Sequence, residues 1–222
     1  TPTLICTLPL SGKKVRYRPF VVKEQKALTL AKDSEDWETS FETLRSVILS
    51  CSSDEVDINE IPMCDAAYFF IQLRIQSVGS ELTFMTACES CEEEIQINYD
   101  LSSVSVDVSN YSDTVSLTDS IGIKMKAPTF KEIQYTNGSD DDTIKFIVAM
   151  IDTIYDEDSI YTKEDYSDEE LTAWMEELSE AHLTKIKEYI DNIPVVEQKL
   201  SYKCPKCGFQ HDKHMEGLQD FF

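Results

Sequence analysis

Glycine is scarce in this chain, with 6 residues in 222, and histidine is scarcer, with 3. So few glycines leave little material for a loop that cradles phosphate, and no glycine-rich phosphate motif occurs. His182, His211 and His214 are the only imidazoles, and no serine or cysteine stands in a nucleophile elbow or beside a recognisable base. The expectation is a protein without catalytic activity. No apolar run approaches the ~20 residues that span a bilayer, so direct membrane insertion is not expected. Positive charge is also short: 20 Lys and Arg against 42 Asp and Glu give a formal charge of −22. Such a surface repels nucleic-acid phosphates. The runs Asp140-Asp141-Asp142 and Asp156-Glu157-Asp158 lack the glycine and ligand rhythm of a calcium-binding EF-hand and read as solvated loops.

The chain does hold 7 cysteines, an odd number that argues against a full disulfide framework. Its opening Thr1-Pro2-Thr3-Leu4-Ile5-Cys6 has no basic-apolar secretory pattern, so a reducing cytoplasm is expected. Four cysteines form two Cys-x-x-Cys steps, Cys88/Cys91 and Cys204/Cys207, with 112 residues between them. Strand-like sequence flanks both, and this spacing lets two knuckles meet around one tetrahedral structural zinc ion. In the second step Pro205 stiffens the turn, and Gly208 supplies the backbone freedom that aims amides at sulfur. The first step has neither residue, only Glu89 and Ser90 inside it and acidic residues after it. Four thiolates against a divalent cation need backbone amides, and Lys203 and Lys206 flank the second knuckle. His211 and His214 follow closely and are possible alternative ligands. A disulfide, or a set of buried thiols without metal, are the other readings. Cys6, Cys51 and Cys64 lack paired spacing and read as small buried hydrophobes.

Hydropathy places a short helix over Lys23–Ala31. A second carries Trp37, Phe41, Leu44, Ile48 and Cys51 on one face, and a third runs from Pro62 to Val78 with Gly79 as its stop. Residues 81–87 and 94–99 alternate apolar with polar and bracket the first knuckle, a β-hairpin signature. Further β-rich sequence holds Val104, Val106, Val108 and Ile121–Met125. The pattern then gives a helix through Ile144, Ile147, Val148, Ile151, Ile154 and Tyr155. Another carries Leu171, Trp174, Met175 and Leu178, opened by a Ser167/Glu170 capping box, and a last one carries Leu183, Ile186 and Ile190. Residues 195–203 return as a strand into the second knuckle. The fold class is α+β: a helical N-terminal part and a zinc-ribbon-like hairpin module interrupted by an acidic helical insertion. The expected division is 1–80 (basic arm and helices), 81–128 (first knuckle and β-rich part), 129–193 (acidic insertion) and 194–222 (second knuckle and tail).

Charge is unevenly spread. Residues 140–180 hold fifteen acidic residues against Lys145 and Lys163, a net of −13, whereas residues 1–32 carry seven basic residues against Glu24, a net of +6. A solvated surface is the plain reading of each run. Complementarity between neighbouring subunits is the functional one, with Arg16, Arg18 and Phe20 in the basic arm as candidate partner contacts. Phe221 and Phe222 are further candidates, since terminal aromatics either tuck locally or anchor in a partner.

The closing run Cys204-Pro205-Lys206-Cys207-Gly208-Phe209-Gln210-His211 and the terminal Gly217-Leu218-Gln219-Asp220-Phe221-Phe222 resemble the baseplate hub and hub-assembly proteins of T-even-type contractile-tailed bacteriophages. Tyr17–Lys26, Leu73–Gly79 and Asp168–Leu171 followed by Pro194 are similar to the same family, so the likeness covers nearly the whole chain. It implies a non-enzymatic structural component of the central hub region of a tail baseplate. Its partners would be other hub and tail proteins in a hetero-oligomeric assembly, made in the host cytoplasm and retained in the virion tail. A transient hub-assembly factor that leaves the particle is the alternative, and a nucleic-acid-binding zinc ribbon a distant one.

Overall fold

A computed structural model describes residues 3–32, 36–53, 59–132 and 140–216. The chain divides into two compact units: Thr1–Ile58, Cys64–Asp107 and Val195–Phe222 form the first, and Asn59–Met63 with Val108–Pro194 the second.

In the first unit the basic arm folds back on itself. Leu4–Thr7 (β1) and Lys14–Tyr17 (β2) pair antiparallel as a hairpin, whose loop turns through Gly12 at φ 67°. The loop is held from a distance. Asp65, fully buried in the first turn of helix α3 (Met63–Val78), accepts the amides of Leu10 at 2.7 Å and Ser11 at 2.9 Å. That one carboxylate, itself buried, takes two loop amides as partners. Helices α1 (Val22–Lys32) and α2 (Trp37–Cys51) complete the helical part, close to the spans expected from periodicity. Helix α3 is buried along most of its length through Ala66, Phe69, Phe70, Ile71 and Leu73, and the Tyr17 ring meets Phe69 edge-on at 5.2 Å. Cys6, Cys51 and Cys64 are buried here. Burial, helped by Asp65, pushes the thiols of Cys6 and Cys64 up to about 11 and about 12, and burial also raises Cys51. All three are neutral core residues.

A single ion pair joins three elements. Arg18 donates to Glu24 Oε2 at 3.0 Å and Oε1 at 2.6 Å, and to the carbonyls of Pro19 and Ser50. Glu24 also accepts the Val21 amide and the Ser50 hydroxyl. The end of β2, the start of α1 and the end of α2 are thereby tied together.

The rest of the first unit is β-sheet. Glu81–Ala87 (β3) and Glu94–Asp100 (β4) form one hairpin. Val196–Lys203 (β10) and Gln210–Glu216 (β11) form another, extended by Ser105–Val106 (β5) in the order β11-β10-β5. Val108 lies outside any strand. Gln198 of β10 donates to the Asp100 carbonyl at 3.1 Å and to the Ser103 hydroxyl, linking the second hairpin to the end of the first.

The second unit is a four-stranded antiparallel sheet, Thr114–Ser116 (β6), Gly122–Met125 (β7), Ile151–Tyr155 (β8) and Ile160–Thr162 (β9), in that order. Helices α4 (Asp140–Met150), α5 (Asp168–Glu176) and α6 (Glu180–Asp191) contribute Ile147, Val148, Leu171, Met175 and Ile186 to a core shared with Val115, Ile123, Met125 and Ile151. The Ser167/Glu170 capping box is formed. One expectation needs correction: Ile151, Ile154 and Tyr155 do not continue α4. The helix stops at Met150, and these residues pair with β7 as Ile123↔Ile154 and Gly122↔Tyr155. Apolar positions 147, 148, 151, 154 and 155 fit a helical face, and the β-branched Ile151, Thr153 and Ile154 fit a strand equally well. Pairing with β7 decides between them.

The Arg18 guanidinium, ahead of the Val21 amide and Ser50 hydroxyl and against burial, holds the Glu24 carboxyl down from 4.5 to about 2. A depressed carboxylate contributes stability that is present above its unfolded pKa and lost as pH falls toward the folded one. Glu24→Gln should therefore lower unfolding stability near neutral pH by about 1.5–3 kcal/mol, the range for hydrogen bonds to charged groups. Urea denaturation of both proteins should show this difference shrinking as pH falls from 4.5 toward 2.

Candidate metal centre

The two Cys-x-x-Cys steps sit in the turns of the two hairpins, and their backbones follow one pattern. In the first, the Cys88 amide donates to the Glu93 carbonyl at 2.8 Å and the Glu92 amide to the Cys88 carbonyl at 2.9 Å. In the second, Cys204 donates to Phe209 at 2.9 Å and Gly208 to Cys204 at 2.9 Å. Gly208 has φ 75°, and Glu92, at the equivalent position, has φ 60°. The absence of glycine thus does not alter the first knuckle. Glu92 adopts the left-handed conformation that Gly208 reaches without a Cβ penalty.

The turns bring four sulfurs together. Cys88 Sγ lies 3.7 Å from Cys207 Sγ and Cys91 Sγ 3.7 Å from Cys204 Sγ, and all four fall within 4.8 Å of one another. A disulfide would place two sulfurs ~2.05 Å apart. A tetrahedral ion with Zn–S bonds of ~2.3 Å would place them ~3.8 Å apart, which matches both separations. Cys88 and Cys204 are buried, Cys91 is half-buried and Cys207 exposed. Ile95 and Ile97 are buried against the cluster, with Phe84 and Tyr202 packed on it.

Two of the four thiols are shifted in opposite directions. Backbone amides of Cys207 and Lys206, despite burial, lower the Cys204 thiol to about 6. At Cys91 the Glu93 backbone works in the same direction, but burial and the sulfurs of Cys207, Cys204 and Cys88 overcome it and push that thiol up to about 12. Cys204 thus becomes anionic readily, and Cys91 resists doing so. A divalent cation at the centre removes that conflict. The Ser90 amide lies 3.4 Å from Cys88 Sγ. Lys206 bonds Glu93 at 2.5 Å, bridging the two knuckles.

The histidines have different surroundings. Among the described residues, the group of converging ligand atoms consists of the four cysteines. Buried His211 places Nε2 3.3 Å from Cys88 Sγ, whereas His214 bonds Glu197 across the β10–β11 pair at 2.8 Å. Arg16 lies on the exposed side of β2, and Arg18 is engaged with Glu24. Half-buried Phe20 lines a groove with Leu28, Phe70, Val78, Leu82 and Arg74. Phe221 and Phe222 lie outside the described residues. The left-handed Glu92 could not be read from residue type, because its signal is a backbone angle rather than a glycine.

Open space surrounds the Cβ position of Gly208, so Gly208→Ala meets only the backbone penalty of a positive φ, about 1–2 kcal/mol. Glu92→Gly should relieve the same penalty and raise stability by about 1 kcal/mol. Thermal unfolding of the two variants should move in opposite directions.

No solved structure matches the chain. The baseplate hub assembly protein gp26 of Enterobacteria phage T4 is 25% identical to it over 214 residues, covering 96% of this chain and 94% of that protein. The family described as T4 bacteriophage base plate protein matches residues 1–222, and the chain therefore belongs to that family.

Proposed function

We propose that this protein is a non-enzymatic structural component of the central hub region of a phage tail baseplate, stapled by one zinc ion. The observation that carries the baseplate role is the family match along the whole length of the chain. The zinc rests on the four converging sulfurs, two pairs of which lie 3.7 Å apart. Cys88, Cys91, Cys204 and Cys207 would hold the ion. Four protein ligands leave no open coordination position, so it would be structural rather than catalytic. Among the described residues no helix is long and apolar enough to cross a membrane.

The binding partners in this reading are other hub and tail proteins, met during assembly in the host cytoplasm and kept in the virion. Exposed Arg16 on the basic hairpin and the groove at Phe20 offer a charged and an apolar contact surface. Arg18 would act by holding that region in shape, and Phe221 and Phe222 would add aromatic anchors. A second reading draws on the name of the T4 relative, a hub assembly protein: the chain helps the hub form and then departs.

The staple reading predicts one zinc per chain by elemental analysis. Metal binding in such sites is coupled to folding, with about 10–16 kcal/mol in small peptides as an upper guide. Cys204→Ser should abolish stoichiometric zinc and lower the melting temperature strongly. A variant that melts with the wild type defeats the staple.

Retention in the particle is decided by quantitative mass spectrometry of purified virions against a known hub protein. A fixed ratio is expected for a structural component. Abundance in infected-cell lysate with absence from particles assigns the chain to assembly instead.

A further inference from the structure

His211 is the one side chain outside the four cysteines that the structure places within hydrogen-bonding distance of a cluster sulfur among the described residues, with Nε2 3.3 Å from Cys88 Sγ. Its position is fixed by the fold. On β11 it stands opposite Tyr202 of β10, and the two rings stack at 4.9 Å with planes 13° apart. Phe209 meets its edge at 4.8 Å. The side chain is only 3% exposed, and its other nitrogen, Nδ1, lies 4.0 Å from Glu89 Oε1. The imidazole is therefore clamped between aromatics with one nitrogen aimed at sulfur and the other toward a carboxylate.

A zinc ion with four thiolates carries a net charge of −2, and donors aimed at the sulfurs spread that charge. Backbone amides do this in most knuckles. Here Cys88 is approached by the Ser90 amide at 3.4 Å and from the opposite hairpin by His211. We infer that His211 is a positioning residue for the metal site, donating its Nε2 proton to the Cys88 thiolate so that the buried sulfur stays seated on the ion. The inference rests on the zinc reading above. It assigns His211 the role of donor, not of ligand. The contact also crosses from β11 to the first knuckle, so it helps hold the two half-sites together.

The test uses the full-length protein loaded with zinc or with cobalt as a spectroscopic probe. His211→Phe keeps an aromatic ring in the clamp and removes the donor; His211→Gln restores an N–H near the same place. Transfer of zinc to a chromogenic chelator should be roughly tenfold faster or more for His211→Phe, the scale of outer-shell effects on metal sites, with partial recovery in His211→Gln. The cobalt charge-transfer bands should keep the intensity of four thiolates in both variants. Equal release rates in the wild type and His211→Phe overturn the proposal. So do wild-type cobalt bands of three thiolates and one nitrogen, because His211 would then be a ligand. A wild type that takes up neither metal sinks the zinc reading itself, a separate outcome. Should both variants fail to fold, NMR of the cadmium-loaded wild type decides. A coupling from the metal through sulfur to the His211 Nε2 proton is expected; a direct metal–nitrogen coupling, or no coupling with that proton absent, overturns the assignment.

Discussion

The meeting of two hairpin turns, with 112 residues between their cysteine pairs, is the constraint on which the first unit depends. Closing so long a loop has an entropic cost that grows only slowly with length, but local contacts cannot supply it. Three kinds of long-range contact share the work. Val196 and Glu197 pair with β5, Gln198 reaches Asp100 and Ser103, and the four sulfurs converge beyond them. The first two bring the hairpins side by side, and the third fixes their tips. Ile95, Ile97, Phe84 and Tyr202 form only a small apolar cluster under those tips, whereas the helical end of the unit buries Phe69, Leu73 and their neighbours.

Charge has a similar division of labour. The acidic residues around the first knuckle look unsuited to a site of four thiolates. Lys206 offsets one of them by pairing with Glu93, and the amides of Cys207, Lys206 and Ser90 are turned toward sulfur. In the basic arm Arg18, named with Arg16 and Phe20 as a candidate partner contact, is engaged within the fold by Glu24 and two carbonyls. Arg16, two residues earlier, lies on the exposed side of β2.

Much of this was legible in the sequence because the signals were local. Trp37, Phe41, Leu44 and Ile48 recur at helical spacing, Ser167 and Glu170 carry their own capping chemistry, and Pro205 with Gly208 marks a knuckle by residue type. Where local signals conflict or fall silent, tertiary contacts decide. Ile151–Tyr155 satisfies two periodicities, and only β7 selects the strand. Glu92 gives no hint of a left-handed turn, and the hairpin around it imposes one. Asp65 reads as an ordinary acidic residue at a helix start, yet it is buried under a loop more than fifty positions earlier. The proximity of Cys88 to His211 depends on the register of β10 against β11, which no single stretch of sequence encodes.

The strand pair Val106↔Val196 sits where the chain leaves the first unit after Asp107 and comes back at Val195. Departure and return occur at neighbouring positions on adjacent antiparallel strands, ~5 Å apart. To the first unit, residues 108 to 194 are topologically a hairpin connection, and Asn59–Met63 is a second, shorter excursion from it. Because the entropic cost of closing such a connection grows only slowly with its length, the register of β10 and the alignment of the knuckles put little constraint on how long it is.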